Sequence, residues 1–574
     1  MKYSSIPSAQ AVIFHCKSRG IKDIVISPGS RNAPLTIGFT EDEFFNCYSI
    51  VDERCAAFFA LGISQQIRLP VALVCTSGSA LLNYYPAIAE AYYSDIPLVV
   101  ISADRPHYKI DIGDGQTIRQ ENVFKNHIGY SANLKLDPVC NLAPREDSSL
   151  SPKDVQEFND GKLNTALRIA LANKTAVHIN VPFEEPLYDT LDRASVNPRI
   201  ELLSESIEKA PDDIQKFKEI WETSNKKMVL VGTLQPEQID RQFLTSLAND
   251  NSVLVFTETT SNLHHPNFFP SIDSIIAPIE RKVDKDDHFK ALQPRLLLTF
   301  GGMIISKKIK AFLRNYPPEH HWHVDSKKAF NTFFCLKHHF KMSANSFLKK
   351  FLNQSLKVES NYYRHWSNIK AEYISRRERY LKGIPFSDML AFNTVLKSIP
   401  KGYQLQLANS STVRYAQLFD VHPSLSVFSN RGTSGIDGST STAAGASLYT
   451  SSPTLLLTGD LSFFYDSNGL WNNYIRPDFR IIVVNNGGGG IFRILPGRAG
   501  TANFEKYFET VQDLKIESLC SLFGLEYSRA DDIENLSIKL SQFYMGSLGP
   551  KLLEIRTPRA VNDEILLNYF DFIS

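Results

Sequence analysis

Apolar positions in this chain gather into short continuous runs separated by stretches in which they recur every three or four residues. Continuous runs suit strands buried on both faces, and the wider spacing suits amphipathic helices packed over them. The first region has runs at 23–26 (DIVI), 48–51 (YSIV), 71–74 (VALV), 98–101 (LVVI) and 176–179 (AVHI), with helical patterns at 54–65 and 80–93. A polar stretch at 141–160 reads as a surface excursion, and a boundary falls near 188–199. The second region offers 227–231, 252–256, 296–300 and 321–324, followed by a charged helical bridge at 362–381. The third offers 404–407, 426–428, 455–457, 481–484 and 552–555. Strand–helix alternation of this kind predicts an α/β protein of three consecutive domains with mostly parallel sheets, spanning 1–187, 200–355 and 385–574.

Composition adds exclusions. A length of 574 residues suits about three or four domains. The net charge of +1 gives no reason to expect nucleic acid or an anionic membrane as partner. Cysteines 16, 47, 55, 75, 140, 335 and 520 are scattered and odd in number, without a C-x-x-C pair. They read as reduced thiols rather than a disulfide framework or a zinc site. The N-terminus lacks the apolar core of a signal peptide, and no run is long enough to span a membrane. A cytoplasmic protein is expected.

Two of the predicted strands end on polar residues. Gly459-Asp460 follows 455–457, and Asn485-Asn486 follows 481–484 and precedes Gly487 to Gly490. Strands joined by one helix are parallel, so Asp460 and Asn486 share the C-terminal edge of the sheet, where open α/β sheets bind ligands. A carboxylate and an amide carbonyl are hard oxygen ligands suited to magnesium, and glycines let backbone carbonyls approach. Taken alone, Gly-Asp is better read as a turn before a helix. The two polar elements together favour a metal–diphosphate site.

This arrangement resembles the diphosphate-binding motif of the thiamine-dependent enzymes, which runs from Gly-Asp-Gly to Asn-Asn across one helix. Leu461 stands in place of the second glycine. The resemblance implies thiamine diphosphate held through magnesium, with manganese a possible substitute, by Asp460, Asn486 and the carbonyl of Gly488. It also implies a glutamate in another domain, held against the aminopyrimidine ring. YSIVDERCAAFFALG places Glu53 between a strand and an apolar helix, in a partly desolvated position suited to proton sharing. By itself, Asp52-Glu53 is better read as an acidic helix N-terminus, favourable with the helix dipole.

Further stretches narrow the family. SPGSRNAPL carries Ser30 and Arg31, SADRP Arg105, DGQTIRQ Gln116, ANSSTVR Ser410 and Arg414, and SNRGTSGIDG Arg431 and Ile436. Arginines after strands offer planar forks for carboxylates, and several of them suggest a substrate with more than one. With VDER and IFRILP (491–496), these stretches closely resemble the 2-succinyl-5-enolpyruvyl-6-hydroxy-3-cyclohexene-1-carboxylate synthase family of menaquinone biosynthesis, over nearly the whole chain. That resemblance implies decarboxylation of 2-oxoglutarate and 1,4-addition of the succinyl carbanion equivalent to isochorismate. It implies Glu53 as catalytic residue and Ser410, Ile436 and Ile491 as further cofactor contacts, Ile436 being an apolar wedge. Ser30, Arg31, Arg105, Gln116, Arg414 and Arg431 become substrate contacts. So do the basic pair Lys307-Lys308 and an apolar wall of Phe492 and Leu495. It also implies a homodimer or homotetramer with the active site between subunits.

Other readings compete. Another thiamine-dependent carboligase, such as an acetolactate synthase, shares Glu53, Asp460 and Asn486 but has less reason for the Ser30, Arg31, Arg105 and Arg414 set. A non-catalytic cofactor-binding protein has no need of Glu53. A metal hydrolase could draw on HHWH at 320–323, but no partnering carboxylate pattern accompanies it. These read as strand and turn histidines, and His264-His265 and His338-His339 as surface residues.

Overall fold

A computed structural model describes residues 2–138, 150–201, 214–352, 358–494 and 501–574. The chain divides into two compact units. One comprises Met1–Glu205, Gly432–Ser451 and Phe463–Phe479; the other comprises Ser206–Arg431, Ser452–Ser462 and Arg480–Ser574.

The first unit holds a six-stranded sheet. Its strands lie in the spatial order Asn46–Ser49, Asp23–Ile26, Val71–Cys75, Leu98–Asp104, Val177–Pro182 and Tyr130–Asn133. Every pairing within it is parallel. Alternate residues of the apolar runs enter different cores. Ile24, Ile26, Val99 and Ile101 pack on one face; Val25, Leu73, Leu98 and Val100 pack on the other. This explains why the runs carry no polar alternation: neither face meets water.

Asp52 caps the helix Glu53–Ile67 by accepting from the Cys55 N–H at 3.1 Å. This helix crosses the helix Ser439–Ser447 closely. A Cβ on Gly62 would lie 2.0 Å from the Thr442 carbonyl oxygen, and one on Gly445 would lie 2.0 Å from that of Phe59. Only small residues permit that approach.

The second unit holds two further all-parallel sheets. One has the order Val253–Phe256, Lys227–Val231, Leu296–Phe300, His320–Val324 and His338–Phe340. The other has the order Ser426–Phe428, Gln404–Leu407, Thr454–Gly459, Arg480–Asn485, Lys551–Arg556 and Glu526–Ala530. In all three sheets the second strand in sequence lies outside the first and the third lies on the first strand's other side, so each has a topological switch point beside its first strand.

The expected strand at 48–51 sits two residues earlier, at Asn46–Ser49, because Ile50 and Val51 belong to the turn that delivers Asp52. The helix expected over 80–93 is two helices, Ser79–Asn83 and Tyr85–Ser94, meeting at Tyr84 just before Pro86. The expected excursion at 141–160 is helical from Pro152 onward, capped by Ser151; its residues 141–149 lie outside the described residues. His338 and His339 are half-buried strand residues rather than surface ones. His321 is fully buried, and both His321 and His323 meet the Thr299 hydroxyl, at 3.0 and 2.8 Å.

Burial holds several of these histidines neutral. His178, on the strand Val177–Pro182 of the first sheet, is fully buried and pushed down to about 3 by desolvation. A base whose pKa is depressed in the fold contributes stability that is full above its unfolded value, about 6.5, and lost as pH falls toward the folded value. His178→Asn should therefore reduce the stability lost by the first unit between pH 7.5 and pH 5 by about 2 kcal/mol. Urea unfolding of both proteins at the two pH values checks this; an unchanged difference would contradict it.

Candidate active site

Gly459 pairs with Val484 in the parallel register of strands Thr454–Gly459 and Arg480–Asn485. Asp460 and Asn486 thus leave the same sheet edge from neighbouring strands, which lie about 4.8 Å apart. Asp460 begins the short helix Asp460–Tyr465 and is 3% exposed. Burial pushes its carboxyl up to about 6, while hydrogen bonds from Gln512 Nε2, at 2.8 Å, and the Leu461 N–H pull it back. Leu461 lies within the helix and is not among the positive-φ residues, so its backbone has no need of the expected second glycine.

The two asparagines have different jobs. Asn485 donates to Glu554 Oε1 at 2.7 Å and accepts the Gly487 N–H at 3.0 Å, which fixes the start of the glycine loop. Asn486 donates its amide to Asp388 Oδ2 at 2.9 Å. Gly487 has φ +77° and Gly488 φ +150°, and a Cβ on Gly488 would lie 2.7 Å from the Glu509 carbonyl oxygen. The Gly488 carbonyl accepts the Gly490 N–H at 3.1 Å, which leaves it a second lone pair.

Residues 509 and 512 strap this loop down. The Glu509 carbonyl accepts the Gly489 N–H at 2.5 Å, and the Gln512 N–H donates to the Gly487 carbonyl at 3.2 Å. The Glu509 carboxylate is itself buried between Arg493, at 2.6 and 2.8 Å, and Arg559, at 3.0 Å.

Among the described residues, no group of three or more His, Cys, Asp or Glu could hold a metal ion. A metal site here must therefore draw on amide and carbonyl oxygens as well. Asp460 supplies a buried carboxylate, Asn486 an amide and Gly488 a backbone carbonyl, and this donor set fits magnesium carrying a diphosphate.

In the first unit, Asp52 and Glu53 divide the two readings of the acidic pair. Asp52 is committed: one oxygen caps the helix and the other accepts from Asn468 at 2.9 Å. Arg54 is committed too, donating to the Tyr465 carbonyl at 2.7 Å with its guanidinium 4.6 Å from that ring. Glu53 is half-buried, with Asn83 Nδ2 at 3.5 Å from its carboxylate. Ile436 is 37% exposed. The loop leading to it is anchored by buried Glu90, which accepts the Gly432 and Thr433 N–H groups at 2.7 and 2.6 Å.

The expected substrate contacts are placed unevenly. Ser30 and Gln116 are exposed. Arg105 donates to Ser77 Oγ at 2.6 Å and to the Gln116 carbonyl at 3.1 Å. Arg31 is only 5% exposed and is tied to the Phe183 carbonyl and the Glu185 carboxylate. Ser410 holds a left-handed conformation, φ +66°, at the end of the strand Gln404–Leu407. Arg414 donates to the Ser410 carbonyl at 2.8 Å, and burial lowers its pKa while Asp273 opposes this. Arg431 donates to Asn409 Oδ1 at 2.5 Å.

Lys307 is exposed, whereas Lys308 is paired with Glu280. The third lysine of that helix, Lys310, has its pKa lowered by burial and by Arg431 and Lys307, against the pull of Glu258. Sequence reasoning passed over Lys310, although it lies three positions after Lys307 on the same helix. Ile491 and Phe492 are half-buried, Phe492 lies 6.2 Å from the Phe508 ring, and Leu495 lies outside the described residues.

Sequence reasoning also passed over Asp388, Glu509 and Gln512, which lie on elements outside the two motifs they support.

Residues 8–128 match the family described as "Thiamine pyrophosphate enzyme, N-terminal TPP binding domain". A relative from Christiangramia forsetii is 56% identical over 581 aligned residues, covering 100% of both chains. One from Flavobacterium psychrophilum is 52% identical, covering 99% of both, and one from Porphyromonas gingivalis is 37% identical, covering 100% of this chain and 98% of its own. Each of these relatives is named "2-succinyl-5-enolpyruvyl-6-hydroxy-3-cyclohexene-1-carboxylate synthase".

Proposed function

Because this chain belongs to the 2-succinyl-5-enolpyruvyl-6-hydroxy-3-cyclohexene-1-carboxylate synthase family of thiamine-diphosphate-dependent enzymes, we propose that it joins 2-oxoglutarate to isochorismate with loss of carbon dioxide, in menaquinone biosynthesis. The observation that carries this reading is likeness over the full length to relatives of that name. The acetolactate-type alternative has no comparable support.

When bound, thiamine diphosphate supplies the electron sink that decarboxylation of a 2-oxo acid requires. The chain's own residues supply position and charge. Asp460, Asn486 and the Gly488 carbonyl would hold magnesium, which would supply the charge that binds a diphosphate. Glu53 would share a proton with the aminopyrimidine ring. Asp52 and Arg54 are both tied down beside it, which supports a carboxylate fixed in place but free to act. Ile436 is the apolar wedge, and Ser410 and Ile491 complete the cofactor contacts.

Arg414 is the foremost candidate for a substrate carboxylate. It is half-buried, and its hydrogen bond to the strained Ser410 backbone fixes the guanidinium's approach. Arg105 and Arg431 are held in the same manner by neighbouring oxygens. Ser30, Gln116 and Lys307 remain open to substrate. Arg31 and Lys308 are proposed as further substrate contacts, each paired in this structure with a partly exposed glutamate, Glu185 or Glu280. Phe492 and Leu495 provide the apolar wall.

No helix among the described residues is long and apolar enough to cross a membrane. We place the enzyme in the cytoplasm as a homodimer or homotetramer, with no nucleic acid or membrane partner. The three domains are assigned to 1–187 for the pyrimidine side, 200–355 for the centre and 385–574 for the diphosphate side. Turnover on pyruvate alone, compared with turnover on 2-oxoglutarate plus isochorismate, tests the substrate reading. The pair should be strongly preferred, and equal or better use of pyruvate would overturn it.

A further inference from the structure

We infer that Asp388 is the positioning residue that aims Asn486 at the metal, an inference that rests on the magnesium reading of Asp460 and Asn486. An asparagine side chain can present either its oxygen or its NH2 group in a given direction, and only the oxygen binds a cation. Something must therefore choose between the two.

Asp388 makes that choice by geometry. It opens the helix Asp388–Ser398, is 2% exposed, and its own N–H is fixed on Asn562 Oδ1 at 2.8 Å. Its Oδ1 accepts the Thr557 hydroxyl at 2.5 Å, and its Oδ2 accepts the Asn486 amide at 2.9 Å. Thr557 sits beside Asn486 because its N–H continues the sheet pairing, donating to the Asn485 carbonyl at 3.0 Å. The carboxylate is thus clasped from two neighbouring strand ends and from its own helix. As an acceptor it engages the NH2 group of Asn486, so the amide oxygen is the atom left to face away, toward a cation.

The neighbouring asparagine sharpens the point. Both amide atoms of Asn485 are spent on Glu554 and Gly487. Asn486, by contrast, gives its nitrogen to Asp388, 98 residues away in sequence, and its oxygen is the atom proposed for the cation. Partners that orient a metal ligand in this way typically change metal affinity by about 10–100-fold when removed.

The test is Mn2+ binding in the presence of thiamine diphosphate, read from the free-ion electron paramagnetic resonance signal. Asp388→Leu replaces the acceptor by an apolar side chain of similar size, and should weaken Mn2+ by about 10–100-fold. The exchange Asp388→Asn with Asn486→Asp reverses donor and acceptor, still leaves an oxygen facing the metal, and should bring affinity back close to that of the unsubstituted chain. A merely structural role for Asp388 gives no reason for such recovery.

Unchanged Mn2+ affinity in Asp388→Leu would overturn the inference, as would a folded exchange variant that binds as weakly as a chain without the contact. If Asp388→Leu does not fold, the exchange variant decides alone. Asp460→Ala serves as the reference. If it loses Mn2+ while Asp388→Leu keeps it, only the positioning role falls. If both keep it, the metal site itself is wrongly placed.

Discussion

Glu53→Gln should lower turnover by about 10²–10⁴-fold while leaving thiamine diphosphate and magnesium bound. Glutamine matches glutamate in size, so the helix N-terminus loses little: Asp52, not Glu53, caps it. The neighbours that could compensate are already occupied, since Asp52 also holds Asn468 and Arg54 holds the Tyr465 carbonyl. What glutamine cannot do is share a proton as an acid. The loss should therefore fall on kcat at saturating cofactor, with cofactor affinity, followed by fluorescence quenching, changing far less. Turnover near that of the unsubstituted enzyme would show that the carboxylate serves only the helix.

Asp460→Ala should abolish productive magnesium binding, and with it retention of the diphosphate. Its effect should exceed the roughly 10–100-fold loss typical of partners one step removed from a metal, because it deletes the only carboxylate of the proposed donor set. Calorimetric titration with magnesium and thiamine diphosphate reads this directly. The same substitution should not destabilise the metal-free protein. Burial already disfavours the charged carboxylate, and the side-chain donor Gln512 can turn to water. Metal-free unfolding at or above the unsubstituted temperature, together with lost cofactor binding, separates a ligand from a structural residue. Retained magnesium affinity would remove Asp460 from the site.

Much of this site was legible because its parts are local. A polar residue at the end of an apolar run is visible in sequence, and parallel connection then places Asp460 and Asn486 on one edge. The strand at 227–231 and the one at 296–300 were read to the residue for the same reason: continuous apolar runs have sharp ends. The strand Asn46–Ser49 was misplaced because NCYS lacks a clear apolar pattern, and Ile50 and Val51 drew the reading forward.

Asp388, Glu509 and Gln512 could not be read at all. Asp388 acts on Asn486 across 98 residues and Gln512 on Asp460 across 52, Glu509 meets the glycine loop from a separate element, and nothing in their own neighbours sets them apart from helix-opening or loop residues. Lys310, one helical turn after Lys307, has its pKa lowered chiefly by burial, which depends on the packing of other elements and leaves no mark in its own neighbours.

The most direct measurement is release of labelled carbon dioxide from 2-oxoglutarate by the purified full-length chain, with isochorismate, thiamine diphosphate and magnesium each omitted in turn. Sustained release should require all of them and should be matched by formation of the succinyl adduct. Release that continues undiminished without isochorismate, or without the cofactor and its metal, would contradict the account.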